Sequence, residues 1–273
     1  MTGPIALGID IGGTSVRAGL VADGHVVARA ESATTNDLLA TVVGPAHNLA
    51  TGTTIVGIGI GVPEYVHQGR VTSTEVIPWT DAIVGELTAI APVWVDSDVR
   101  CAAVAEWHHL PGESLLYLSW GTGLSTTLVL PDGRPWEGHS GRAIAFGERL
   151  VESATLESVA SGRGIETHYL ARTGNQRTTR ELAADAADNL AQTLLRSAGR
   201  LTAEALLDAT RLLDPARVVI GGGLGTADTE ANRTLVAEWQ SGGSPAPLHT
   251  ASHGPDSGLI GAALLALRPT PAG

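Results

Sequence analysis

The chain has 273 residues, 43% of them hydrophobic and 16% charged, with a formal net charge of −11 at pH 7. That is apolar sequence enough for two modest cores and far from the composition of disorder, while the acidic balance excludes a nucleic acid or a phospholipid surface as the main partner, since both are held by clustered cations. Every Lys/Arg position is an Arg, which excludes a P-loop lysine and Schiff-base chemistry, and the single cysteine, Cys101, excludes an internal disulfide and a thiolate-held structural zinc.

The opening third alternates strand and helix signals as an α/β lobe does. Pro4 to Ile11, Ser15 to Ala22 and His25 to Ser32 read as three successive strands, parted by Gly12-Gly13 and by the Asp23-Gly24 turn. Helical spacing follows over about Asn36 to Leu49, then the glycine-interrupted apolar run Thr54 to Val62, which has the look of a buried strand. Pro92 to Asp96 is a further strand and Val99 to His109 an Ala-rich helix made for close packing. Leu115 to Trp120 and Leu124 to Leu130, joined by Gly121-Thr122-Gly123, repeat the opening strand, glycine turn, strand layout. Glu181 to Leu213 is predicted helical with a break near Gly199, and Asp214-Pro215 stops it before the strand Arg217 to Ile220. Ser241 to Pro247 reads as an exposed loop. The last helix, Gly258 to Leu267, is apolar all round and has to be buried. With no basic leader and no apolar run of membrane-spanning length, a cytoplasmic protein without a membrane partner is expected.

Three glycine loops sit at strand ends. Asp10-Ile11-Gly12-Gly13-Thr14 lets backbone N–H groups approach an anion, and the Asp10 carboxylate there is suited to holding a hydrated Mg²⁺ beside phosphates. Gly121-Thr122-Gly123 is a second loop of that size, and Gly221-Gly222-Gly223 a third, between a strand and a helix. Each alone is equally a tight turn; together they favour a nucleotide. The triple glycine lacks the G-x-G-x-x-G spacing of a dinucleotide fold, so phosphoryl transfer is favoured over hydride transfer.

This arrangement resembles the ROK family of bacterial glucokinases, other sugar kinases and sugar-responsive repressors. The resemblance runs through LGIDIGGT at Leu7, GIGIGVP at Gly57, DSDVRCAAVAEW at Asp96, GTG at Gly121, LESVASGR at Leu156, LLDPARVVIGGGL at Leu212 and GLIGAALLAL at Gly258. It implies a two-lobed, actin-like (ribonuclease H-like) α/β fold with an ATP cleft between the lobes. The lobes are expected over 1–110, with the helix 258–267 packed back on it, and over 111–257. By the same resemblance the chain is an ATP- and Mg²⁺-dependent kinase for a small polyol and a homodimer that closes on its substrate. The repressor branch carries a DNA-binding helix-turn-helix before the first strand, which this chain does not show.

The resemblance makes Asp98 the general base, as a carboxylate opening a helix after a buried strand can be; the plainer alternative is that Asp98 or Ser97 caps that helix. It implies that Gly12, Gly13, Thr14, Gly121, Thr122, Gly123, Gly222 and Gly223 bind the nucleotide, and that Glu157 binds the sugar. The acceptor side departs from the family. Ser97 stands for the Asn of E-N-D, Ala145 and Glu148 stand for the Glu and His of G-E-x-G-H, Glu64 replaces a small residue after GVP, and the zinc-binding cysteines before Leu156 are missing, so no zinc site is expected. Lost partners for sugar hydroxyls, with Glu64 and Glu148 joining Asp96, Asp98 and Glu157, point to a modified hexose or cyclitol, a cationic amino sugar such as kanosamine being the favoured single choice. An ordinary glucokinase with a rearranged pocket, and a sugar or nucleotide sensor without turnover, are the alternatives.

Overall fold

A computed structural model describes residues 3–268, which divide into two compact units. Unit 1 takes the residues up to Gly112, Val129–Ala143 and those from Pro255 on; unit 2 takes Glu113–Leu128 and Ile144–Gly254.

Unit 1 is built from β1 (Ile5–Ile11), β2 (Ser15–Ala22), β3 (His25–Ala33), α1 (Leu38–Ala50), β4 (Gly57–Val62), the short hairpin β5 (Val66–His67) and β6 (Arg70–Val71), α2 (Ala82–Thr88), β7 (Val93–Ser97) and α3 (Asp98–His109). Its sheet runs β3-β2-β1-β4-β7, antiparallel across β1, β2 and β3 and parallel from β1 through β4 to β7. The alternation in β1 and β4 makes two different faces. Leu7, Ile9, Ile11, Ile58 and Ile60 pack with Leu38, Val42 and Ala46 of α1. On the other face Gly8 and Gly59 leave the sheet nearly bare, and the apolar C-terminal helix lies directly on it: a Cβ at Gly59 would come within 1.8 Å of the Ala262 carbonyl oxygen. The same helix is pressed against α3, where a Cβ at Gly261 would meet the Cys101 carbonyl oxygen at 1.6 Å. Only backbone fits at such a distance.

Unit 2 contains β8 (Leu115–Trp120), β9 (Leu124–Val129, whose last residue already belongs to unit 1), β10 (Leu150–Val151), β11 (Ala154–Thr155), α4 (Leu156–Ala160), α5 (Gly162–Thr173), α6 (Thr179–Ala184), α7 (Asn189–Leu213), β12 (Arg217–Gly221), α8 (Gly223–Thr226), α9 (Glu230–Ser241) and β13 (Leu248–Thr250). The C-terminal helix of unit 1 is α10 (Ser257–Ala266). The sheet order is β13-β12-β8-β9, with β12 parallel to both β8 and β13. Leu116, Leu118 and Trp120 share its core with Leu195, Leu206 and Ile220.

Two expectations are corrected. The helical region from Glu181 to Leu213 does not break at Gly199: α7 runs unbroken over Asn189–Leu213, and Gly199 is where α9 comes closest, with the Ala231 carbonyl oxygen 2.3 Å from where a Cβ would be. The break falls earlier, where Asp188 caps α7 by accepting from the Ala191 N–H at 3.0 Å. Val129–Ala143, expected in the C-terminal lobe, belongs to unit 1. Polar ties hold it there: the Arg268 guanidinium donates to the Gly133 carbonyl, Glu137 accepts from the Gln68 N–H at 2.9 Å, and Arg100 donates to the Gly141 carbonyl at 2.6 Å.

Candidate active site

In unit 1 the strand ends converge on two carboxylates. Asp10, next to last in β1, is flanked in register by Arg17 of β2 and Gly61 of β4, and its carboxyl lies against Gly258 at the start of α10. The turn after it is closed by Gly12 N–H to the Ser15 carbonyl at 2.8 Å and by the Thr34 hydroxyl to the Gly12 carbonyl at 2.7 Å, leaving Gly13 and Thr14 exposed. Asp98 opens α3 directly after β7. Its Oδ1 accepts from the Val99 N–H at 2.6 Å and the Ser97 hydroxyl at 3.4 Å, and no donor among the described residues reaches Oδ2. Burial, then the negative charge of Asp10, push the Asp98 carboxyl up to about 7. Burial pushes Asp10 up to about 6 against the pull of Arg17. Ser97 is the N-cap residue of α3, yet its side chain makes no capping bond and turns to Asp98 instead.

Glu64 is only 3% exposed and is fully engaged. Its Oε2 accepts from the Ser73 hydroxyl at 2.5 Å and the Glu75 N–H at 2.9 Å, and its Oε1 from the N–H groups of Val76 at 2.6 Å and Ile77 at 2.9 Å. These hydrogen bonds outweigh burial and hold its carboxyl below the usual range. Glu64, expected at the acceptor, is thus engaged by its own loop: it organises residues 73–77, which set Val76 against Gly13, 3.3 Å from where a Cβ there would be. Asp96 is also turned inward. Its Oδ1 accepts from the Ser97 N–H and from Arg100, each at 2.8 Å.

In unit 2 the loops Gly121–Gly123 and Gly222–Gly223 come together, the Gly223 nitrogen lying 3.4 Å from where a Cβ at Gly121 would be. Gly222 has φ +81°, a conformation that favours glycine, and leads into α8. The loop is fixed from behind by α5, whose Gly162 and Arg163 N–H groups donate to the Gly121 and Thr122 carbonyls at 2.8 and 3.2 Å. Glu157, in the first turn of α4, accepts from the Leu124 N–H at 2.8 Å through Oε2. Glu148 ends a 3₁₀ turn, Ala145–Glu148, and is exposed. The geometry thus gathers Asp10, the Gly12–Thr14 turn, Ser97 and Asp98 in one unit, and the other two glycine loops with Glu157 in the other.

A profile of the ROK family matches residues 6–269. The chain belongs to the ROK family. Its ROK relatives include a glucokinase from Streptomyces coelicolor, 27% identical over 98% of this chain and 99% of that one, and an N-acetylmannosamine kinase from Escherichia coli O157:H7, 28% identical over 95% and 97%. The structure is similar to the ROK hexokinase from Thermus thermophilus, with a TM-score of 0.83 and 28% identity over 96% of this chain and 98% of that one. The fold is accordingly the actin-like ATPase fold of ROK sugar kinases.

The Mg²⁺ expected of an ATP-using ROK protein can be tested against the donor set. Among the described residues no group of three or more His, Cys, Asp or Glu side chains is placed to hold a metal. A strand-end carboxylate raised by burial, with a second carboxylate near enough to be raised by it, fits a hydrated Mg²⁺ that takes most ligands from water and phosphate. No helix among the described residues is long and apolar enough to cross a membrane. Sequence reasoning missed Arg100, buried and four residues after Asp96, although opposite charges at that spacing across a helix start are a legible signal. It also missed Gly258 as the platform for Asp10, which no local pattern announces.

Proposed function

We propose that this ROK chain is an ATP-dependent sugar kinase whose acceptor is a hexose modified relative to glucose, an N-acylated amino sugar being the class that fits best. The observation that carries the catalytic reading is Asp98, a carboxyl raised to about 7 with one oxygen unengaged, at a junction that fixes its backbone. A base with that pKa is matched to neutral pH. Asp98 takes the proton of the acceptor hydroxyl as that oxygen bonds to the γ-phosphorus, and the bond to the bridging oxygen breaks to release ADP. The backbone of Gly12–Thr14, Gly121–Gly123 and Gly222–Gly223 holds the phosphates, and Asp10 is the residue that would hold a hydrated Mg²⁺. Mg²⁺, when bound, neutralises charge on the phosphates. Ser97, Glu157 and Glu148 contact the sugar.

Relatives that act on glucose and on N-acetylmannosamine support the hexose class. Ser97 and Ala145 remove partners for glucose hydroxyls and make room for a bulkier acceptor. The case for an ammonium is weaker than the composition of the motifs suggests, because the oxygens of Glu64 are taken by its loop and Asp96 is paired with Arg100. An ordinary glucokinase is the second reading, favoured by the glucokinase relative that spans nearly all of this chain. A coupled ADP-release assay over glucose, N-acetylated hexosamines, free amino sugars including kanosamine, and cyclitols decides among them. The highest kcat/KM is expected with an N-acetylated hexosamine; highest with glucose refutes the altered acceptor, highest with a free amino sugar restores the charge argument, and turnover of none favours a sensor. With the best acceptor, Asp98→Asn lowers kcat by roughly 10² or more and leaves ATP affinity nearly unchanged.

A further inference from the structure

Arg100 is fully buried, at 0% exposure, and its guanidinium is shared among three parts of unit 1. Nη1 donates to Asp96 Oδ1 and to the Val66 carbonyl, both at 2.8 Å, and Nη2 donates to the Gly141 carbonyl at 2.6 Å. These acceptors belong to the end of β7, to the β5–β6 hairpin and to the segment Glu137–Ala143. That segment is laid on the hairpin at several further points. Glu137 accepts from the Gln68 N–H at 2.9 Å and stands 3.4 Å from His67 Nδ1, Arg142 stacks 4.3 Å above the centre of the Tyr65 ring, and Gly141, at φ +80°, is so close that a Cβ would come within 2.3 Å of the Val66 carbonyl oxygen. From Asp96 the chain of contacts continues to the Ser97 N–H at 2.8 Å and from the Ser97 hydroxyl to Asp98.

We propose that Arg100 is a positioning residue that fastens the segment Glu137–Ala143 and the β5–β6 hairpin to the strand end bearing Ser97 and Asp98, and so sets acceptor affinity. Its role in affinity rests on the kinase reading above; the fastening does not. Three acceptors at separate places call for a planar fork of donors, which a lysine ammonium cannot reproduce. If Arg100 served only to neutralise Asp96, its two carbonyl bonds would be superfluous, and any change that removes the buried charge would do as well. The segment also runs straight into Ala145–Glu148, where acceptor contacts are proposed, so its release would loosen the sugar side and leave the phosphate loops as they are.

The test compares Arg100→Met, Arg100→Lys, the double variant Asp96→Asn/Arg100→Met and Gly141→Ala with the wild type, Arg172→Met on exposed α5 serving as control. Each is exposed to trypsin at a fixed interval below its own melting temperature, and cleavage after Arg142 is followed by mass spectrometry relative to cleavage after Arg172 or, in that control, after Arg163. Initial rates with the best acceptor and with ATP are measured on the same preparations. Arg100→Met is expected to speed the Arg142 cleavage by about 10-fold and to lower kcat/KM for the acceptor by about 10- to 100-fold, with KM for ATP unchanged. Gly141→Ala, which displaces the segment and keeps the Asp96 pair, is expected to act alike, and neither Lys nor the double variant is expected to restore the wild-type pattern. Unchanged cleavage after Arg142 in Arg100→Met overturns the fastening, and restoration by the double variant reduces Arg100 to a counterion. Fast cleavage with unchanged acceptor kinetics overturns the link to affinity, whereas loss of protection in a protein whose wild type turns over no acceptor sustains the fastening and counts against the kinase reading alone.

Discussion

Replacing Glu64 by Gln changes one atom type in a side chain that accepts from four donors, and the structure sets the size of the effect. If the new amide nitrogen takes the place of Oε1, the N–H groups of Val76 and Ile77 both lose their acceptor; if it takes the place of Oε2, the Glu75 N–H loses its acceptor and the Ser73 hydroxyl can turn to accept instead. The second arrangement is the less costly and leaves one buried N–H unpaired, at roughly 1–3 kcal/mol, while the remaining bonds lose the assistance of charge; the total is about 2–4 kcal/mol. Because the pKa of Glu64 is lowered on folding, its contribution is present above the unfolded value of 4.5 and is lost as pH falls through the lower folded one. The stability difference between the two proteins, from urea midpoints, is therefore expected to be flat from neutral pH down to about 5 and to narrow below about 4. KM for ATP is expected to rise as well, since the loop that Glu64 organises lies against Gly13. A stability change under about 0.5 kcal/mol at pH 7, the scale of an ordinary surface substitution, refutes the reasoning.

Burial and Asp10 raise Asp98 to about 7, so its active, ionised form is lost as pH falls, and kcat/KM is expected to drop through an acid limb near 7; a profile flat down to pH 5 removes Asp98 as the base. Asp10→Asn removes the charge that raises Asp98, so a carboxyl NMR titration of Asp98 in that variant is expected to shift to lower pH; an upward or absent shift means that the two groups do not interact. Gly261→Ala places a methyl 1.6 Å from the Cys101 carbonyl oxygen and is expected to lower stability by about 3 kcal/mol or more, or to abolish folding, as read by circular dichroism on heating.

Where a signal is local, the sequence carried it. The alternation in GIGIGV both announced a buried strand and divided it into an isoleucine face for α1 and a glycine face for α10. Asp98 was singled out by the resemblance to the ROK family, and the junction of an apolar strand with an Ala-rich helix is compatible with that role because it fixes where the backbone turns. Other features depend on distant partners. Glu64 looked like an acceptor contact from its place after GVP, whereas the donors that engage it lie nine to thirteen residues on, in a loop with no pattern of its own. Gly199 read as a helix break because glycine disfavours helices, but close approach of α9 won over propensity. The helices α2, α4 and α5 escaped notice because the first two are only seven and five residues long and the third has mixed faces, which leaves little periodicity to find.

The seating of α10 bears on how the protein is made. Unit 1 begins with β1 and is completed only by α10, Ser257–Ala266, whereas the residues of unit 2 end at Gly254. During synthesis the bare glycine face of β1 and β4 is therefore made long before its cover, and all the residues of unit 2 are made before those of α10. Until α10 has been made, the first-made sheet keeps an apolar face without its cover, the kind of surface that invites wrong association during folding.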